Sequence, residues 1–266
     1  MKIDSRAVIA EGAKLGKDVE IGPYAVIDAD VTIGDGCKIG PHAYITGITT
    51  LGEGTRVHAG AVIGDAPQDV HYNDEPSSVD IGKNCVIREY VTVHRGTEEG
   101  SHTVVGNNVM LMAFSHLGHN CVIEDGVIVA NASLLAGRVT VGARAFVSAG
   151  VMVHQFVRIG RLAMIGGGNH ITQDVPPFCM LQGEEIQGPN IVGLRRSGME
   201  EEARTALRSA IKIYFCYGLP RQEACDRIRA EVTLTPEVQE FIDFVMTTKR
   251  GVCPGHRVDS KEPDMQ

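Results

Sequence analysis

The stretch with the most evident chemical potential is Ser115-His116-Leu117-Gly118-His119-Asn120-Cys121. Imidazole titrates near neutral pH, so a histidine here suits removal of a proton from a hydroxyl group. Through this region an aliphatic residue recurs every six positions, and His119 follows the in-phase Leu117 by two. That offset puts His119 near a corner of the repeating unit, with its side chain available on the outside. Counting on by eighteen reaches Gly137, and by eighteen again Gln155, so the three should stack in one column with His154 beside it. The Gly137 N–H, one coil from the imidazole, could then hold the oxyanion of a tetrahedral intermediate. His116-x-x-His119 also has the form of half a zinc site. Zinc needs three or four ligands, and the only third candidate, His94, has the wrong spacing, so no metal is expected. His42, His58, His102, His170 and His256 lack such company and read as surface or loop residues.

The element that must position these residues is the repeat. Aliphatics keep one six-residue phase from Ile3 to Ile63, then through Ile81, Ile87 and Val93, then from Val105 to Ile171. A period of six is neither helical nor strictly alternating. It fits a short strand plus a corner, three of which close a triangular coil of about 18 residues. Small residues such as Ala25, Cys37, Thr55, Ala61 and Ala145 let the chain turn. One repeat cannot bury its own apolar residue, so stability must come from stacking coils about 4.8 Å apart. Two phase-preserving interruptions, 66–78 and 97–103, read as loops extruded from the coil, and functional residues concentrate in such loops. The first contains Pro67, Asn73, Asp74 and Pro76, all turn-formers.

The repeat stops at Asp174-Val175-Pro176-Pro177, and a linker rich in Gly, Pro and Asn follows. The expected fold is therefore mainly β, a parallel β-helix over 1–190, with an α-helical C-terminal domain over 191–266. Ser197 with Glu200 predicts a capping box opening a helix to about Tyr217. A second helix is expected over about Gln222 to Val232. Thr235-Pro236-Glu237, an N-cap followed by Pro, should start a third that runs through Val245. From Cys253 onward the tail should fray.

Composition narrows the function. The 266 residues are 43% hydrophobic and 22% charged, which suits a globular protein and excludes disorder. Aromatics make up 5%, Trp is absent and Gly numbers 31, so the core should be aliphatic and small. A net charge of −8 argues against nucleic acid as the main partner. No apolar run is long enough to span a membrane, and Met1-Lys2-Ile3-Asp4 opens no signal peptide, so a cytoplasmic protein without membrane insertion is expected. The seven cysteines form no CxxC pair, and Cys37, Cys85 and Cys121 share one repeat position, as reduced core residues would.

Further motifs join the repeat and the histidine stretch: Val153-His154-Gln155-Phe156, Gln173 to Pro177, and Asn190-x-x-Gly-Leu-Arg-Arg. Gln68-Asp69-Val70-His71-Tyr72 and Ile87 to Thr97 complete the set. With them the chain resembles, over its whole length, the UDP-N-acetylglucosamine O-acyltransferases of lipid A biosynthesis, members of the hexapeptide-repeat acyltransferases. The resemblance implies left-handed winding, an exception to the usual right-handed crossover, and a homotrimer with sites in clefts between neighbouring prisms. It implies transfer of a fatty acyl chain from acyl carrier protein to the 3-hydroxyl of UDP-N-acetylglucosamine, the first step of lipid A biosynthesis. No cofactor is implied beyond the carrier's own 4′-phosphopantetheine. It makes His119 the general base and Gly137 the oxyanion donor, with Asn120 orienting the ring. The UDP-sugar would meet Asp69, His71, His116, His154, Gln155, Asn190 and Arg196, and the side chain at Gly167 would limit the acyl groove.

Asn120 departs from the family's usual Asp, offering a carbonyl to the ring N–H without charge. His71 replaces the usual Lys, Arg138 a frequent His, and Val192 a commonly acidic residue, all near sugar or phosphate recognition. A second reading is N-acylation of an amino-sugar nucleotide, since the sister N-acyltransferase resembles the His-Asn arrangement. That enzyme usually carries an extra N-terminal domain, whereas repeats here begin at residue 3. A scaffold without activity would need neither the loops nor the polar column. Arg195, Arg196, Arg204, Arg208 and Lys212 are expected to attract the acidic carrier protein.

Overall fold

The computed structural model describes residues 1–255. His256 and the end of the expected tail lie outside them. The chain winds as a left-handed parallel β-helix whose three faces are sheets of eleven, nine and eight short strands. Within the coil, strands of two to four residues pair with their equivalents one coil on: Ile3 with Ile21, Ile9 with Ile27, Leu15 with Ile33. The in-phase aliphatics point inward and are almost fully buried from Ile21 onward. Burying each contributes roughly 1.5–3 kcal/mol, so the stack, not any single coil, holds the prism. Cys37, Cys85 and Cys121 are buried at the repeat's small-residue position, and each thiol donates to a backbone carbonyl in the next coil.

Both loops leave the same corner, between the nine-stranded and the eight-stranded sheets. Val57 pairs with Ile87, and Ile87 with Leu111, so neither loop shifts the phase. Their bounds differ from the sequence reading. The first ends at 77, because Ser78 already begins the strand Ser78–Ile81. The second spans 95–101, since the strands Thr92–His94 and His102–Val105 flank it.

The region beyond Pro177 is more ordered than a linker. Strands Cys179–Gln182 and Glu185–Pro189 form an antiparallel hairpin at the end of the eleven-stranded sheet. A short helix α1, Ile191–Arg196, follows, then α2, Glu201–Cys216, α3, Arg221–Glu231, and α4, Pro236–Met246. Ser197 does not open α2. It caps the end of α1, donating its hydroxyl to the Leu194 carbonyl, and the N-cap of α2 is Glu200, which makes no side-chain cap hydrogen bond. Thr235 does cap α4, accepting from the Val238 N–H. The tail is not frayed at Cys253, which is buried and donates its N–H to the Asp174 carbonyl. Arg158 and Thr248 both donate to the buried Asp174 carboxylate, tying the segment after α4 to the last coils.

Candidate active site

His119 turns out of the strand His116–Leu117 at the corner from which both loops emerge. Leu117, Leu135 and Val153 pair in register, which places His119, Gly137 and Gln155 in one column. The imidazole is 8% exposed and packs against the Gly137 backbone so closely that a Cβ there would overlap the ring. The Gly137 carbonyl accepts from the Phe156 N–H, while its own N–H has no protein acceptor among the described residues. That N–H is free for an incoming oxyanion.

The protonation pattern of His119 follows from its neighbour. Asn120 takes a left-handed φ of 58°, which Asn tolerates better than most residues. Its Oδ1 accepts from the Thr97 N–H at 3.2 Å, and a backbone N–H can only donate, so that atom must be oxygen. The same Oδ1 lies 2.8 Å from His119 Nδ1, so Nδ1 carries the proton and Nε2 holds the free lone pair. Across a gap of 3.9 Å, Nε2 faces Asp69 Oδ2 from the first loop. The His71 N–H holds the other carboxylate oxygen of Asp69 at 2.9 Å. Arg95 steadies the loop by donating to the Tyr72 hydroxyl and the Gly64 carbonyl.

His116 sits one strand position before Leu117, its Nδ1 2.7 Å from the Thr92 hydroxyl. Burial, with help from the neighbouring His94 and His119, pushes its pKa down to about 4, so the ring is neutral at physiological pH. His94 packs edge-on against it at 5.1 Å between centroids and is likewise lowered, chiefly by burial. His94 Nδ1 is buried without a hydrogen-bond partner among the described residues. The sequence reading sets His94 aside as a third zinc ligand because its spacing does not match such a site, and leaves it without a place beside His116. The second loop adds residues between them, and subtracting it reveals the proximity. Among the described residues no three His, Cys, Asp or Glu side chains are grouped to hold a metal ion.

Only some of the remaining expected residues are gathered at this corner within one chain. His154 is exposed and Gln155 half-buried at the top of the column. The His71 side chain is exposed in the first loop, its backbone serving Asp69. Gly167 lies at a second corner, between the strands Met164–Ile165 and His170–Ile171. Asn190 lies at the third, against Leu162. Asn190 caps α1 through Oδ1 and donates Nδ2 to the Leu162 carbonyl, so both ends of its amide are engaged. Arg196 is exposed in the last turn of α1. Sequence reading also missed Thr97 and Glu98, since their contacts with Asn120 depend on how the loop folds back.

Comparison with known proteins bears on this arrangement. The family model for UDP-N-acetylglucosamine O-acyltransferase, domain 2, matches residues 174–253, and that for bacterial transferase hexapeptide repeats matches 12–47, 30–65 and 102–137. The acyl-[acyl-carrier-protein]–UDP-N-acetylglucosamine O-acyltransferase of Thiobacillus denitrificans is 44% identical over 253 residues, 94% of this chain and 98% of that protein. Its counterpart in Paraburkholderia phymatum is 43% identical over 258 residues, 94% and 98% respectively. The crystal structure of the Bacteroides fragilis UDP-N-acetylglucosamine acyltransferase superposes with a TM-score of 0.91 at 39% identity, covering 94% of this chain and 98% of that one. The Campylobacter jejuni enzyme gives a TM-score of 0.90 at 37% identity, covering 96% and 100%. With near-complete coverage, and with the histidine column standing in the coil, the chain belongs to the acyl-[acyl-carrier-protein]–UDP-N-acetylglucosamine O-acyltransferase family.

Proposed function

We propose that this chain transfers a fatty acyl group from acyl carrier protein to the 3-hydroxyl of UDP-N-acetylglucosamine, with His119 as general base. The observation that carries the mechanism is the fixed tautomer of His119. With Nδ1–H given to Asn120, Nε2 is the basic nitrogen, and it points into the gap bordered by Asp69 and Gly137. The sugar hydroxyl passes its proton to Nε2 as its oxygen attacks the thioester carbonyl. The tetrahedral oxyanion accepts from the Gly137 N–H. When the C–S bond breaks, the imidazolium returns the proton to the departing carrier thiolate. A thioester is already activated, so the chemistry calls for no cofactor beyond the carrier's phosphopantetheine arm.

Asp69, His116, His154 and Gln155 surround this column and are the acceptor-binding set on one chain, with His71 at the loop's exposed end. Asn190 and Gly167 stand on other corners, and Arg196 on α1. A homotrimer, in which the edge of one prism faces another, would bring such corners together and complete the site. No helix among the described residues is long and apolar enough to cross a membrane.

The test is mass spectrometry of products from UDP-N-acetylglucosamine and acyl carrier proteins of several chain lengths, beside the 3-amino analogue. An ester on the natural acceptor supports O-acylation, and an amide formed only on the analogue would replace it with the N-acyl reading. His119→Ala should lose at least about 10²-fold in kcat, whereas His116→Ala should mainly raise KM for the sugar nucleotide. Near-normal turnover by His119→Ala would remove it as the base.

A further inference from the structure

The second loop returns to the catalytic corner and places two residues on Asn120. Thr97 directs its N–H at Asn120 Oδ1 at 3.2 Å, and its hydroxyl, with a single proton to give, lies 3.0 Å from both that oxygen and Glu98 Oε2. This fixes the amide with oxygen toward His119 and nitrogen away from it. The outward Nδ2 meets Glu98 Oε2 at 3.4 Å, and the other carboxylate oxygen of Glu98 is held by Arg138. A continuous chain of polar contacts thus runs from His119 through Asn120 to Glu98 and Arg138.

The physical need for such a chain lies in the neutrality of Asn120. When His119 takes up a proton, a positive charge appears on the ring, and an amide carbonyl stabilises it less than a carboxylate would. A negative charge on the far side of the amide draws the Nδ2 hydrogens outward and polarises the carbonyl toward the ring, as linked hydrogen bonds reinforce one another. Glu98 supplies that charge. Burial raises its pKa, but Thr97 and Arg138 more than offset this, leaving it below the usual carboxylate range and ionised at neutral pH. Arg138 holds the carboxylate in place and stacks on the Phe156 ring at 5.7 Å.

We propose that Glu98 is a positioning residue for the catalytic histidine, its carboxylate, anchored by Arg138, acting through the Asn120 amide to orient and charge-stabilise His119. This rests on His119 being the base. It gives the 95–101 loop a task, and it gives the Asn at 120 and the Arg at 138 one shared explanation.

The experiment is a cycle of Glu98→Gln and Asn120→Asp, assayed for kcat, KM and pH profile with His119→Ala as control. Glu98→Gln keeps the side chain's shape, removes its charge, and changes an exposed loop position, so the fold should persist. In the native background it should lower kcat about 10-fold, a minor share of the ~10²–10⁴-fold that general-base assistance contributes. KM for the sugar nucleotide should stay within about twofold of native. The acid limb of kcat/KM should move to lower pH, because imidazolium is less stabilised. In the Asn120→Asp background, where a carboxylate touches the ring directly, Glu98→Gln should cost nothing. Native kcat and pH profile in Glu98→Gln would overturn the proposal, as would the same loss in both backgrounds. If His119→Ala is inactive while Glu98→Gln is silent, the relay alone fails. If His119→Ala remains active, the assignment of the base fails first.

Discussion

The ring of His119 fills the space that a side chain at Gly137 would need, since a Cβ there would overlap Nε2 and Cε1 and stand 2.8 Å from Cδ2. The glycine is required by this close approach, not by a left-handed backbone. Gly137→Ala should therefore fold but push the imidazole off the column and away from the oxyanion donor. Losing the donor's alignment should reduce kcat about 10²-fold, with the thermal melting point little changed. Once the ring is gone the methyl group has room, so Gly137→Ala should add almost no loss to His119→Ala. Steady-state kinetics of the two single variants and the double variant read this out, and additive losses would contradict the packing argument.

His116 makes stability depend on pH. Its pKa is about 4 in the folded protein, against roughly 6.5 for an unfolded histidine. Between these values the unfolded chain binds more protons, so stability is fully present above about pH 6.5 and is lost as pH falls toward 4. At pH 5 the loss from this group alone should be on the order of 2 kcal/mol. His94, lowered in the same direction, adds to it. Urea unfolding at pH 7 and pH 5 should show the drop in the native protein and a smaller drop in His116→Asn. An equal drop in both would mean that His116 is not held neutral by burial.

The coil was legible because its period is set by geometry: each buried aliphatic must stack on the one below, so phase alone places Leu117 over Val93 and His119 under Gly137. Where that constraint ends, the sequence says less. Ser197 and Glu200 have capping-box spacing, yet the Gly193 and Leu194 carbonyls of α1 compete for Ser197 and win. Asn190 reads as a ligand-binding amide, but the chain turns there and spends both ends of the side chain on α1 and Leu162. Thr97 and Glu98 sit in a loop with no period, so nothing in their spacing points to Asn120. Of the three glycines at 166–168, only Gly168, at 71°, takes a left-handed backbone, and nothing in the run itself says which one the corner needs.

Arg195, Arg204 and Arg208 converge with Glu201 on a cavity of about 210 Å³ between α1 and α2. Arg204 Nε is buried there without a hydrogen-bond partner among the described residues. Guanidinium groups clustered on an otherwise acidic chain should attract an acidic carrier protein and speed its encounter at low salt. Arg204→Glu with Arg208→Glu should raise KM for the acyl carrier protein at least about 10-fold at low ionic strength, with kcat at saturation largely retained. The native protein should lose the same advantage as salt is added. Kinetics indifferent to both charge reversal and ionic strength would place carrier docking elsewhere.

Gly167 offers a test of acyl-chain selection that spares the catalytic column. Its backbone is not left-handed, and a Cβ there would meet the Ala149 carbonyl at 3.2 Å and Ser148 Cβ at 3.9 Å. The first distance asks its neighbour to give by a few tenths of an ångström, and Gly167 is exposed, so a longer side chain can point outward, into the groove that the proposed trimer would form there. If acyl chains run along that groove, methionine at this position would occupy the space of their terminal carbons. Each displaced methylene forfeits roughly 0.8 kcal/mol of burial, so two or three lost contacts suffice to invert a preference between neighbouring even chain lengths. Gly167→Met should therefore favour carrier-bound chains shorter by two to four carbons (about 10-fold or more in relative kcat/KM), while kcat on the preferred chain and the melting temperature stay near native. Competition assays with mixed acyl carrier proteins measure this directly. An unchanged order of preference would show that the groove ends somewhere other than at Gly167.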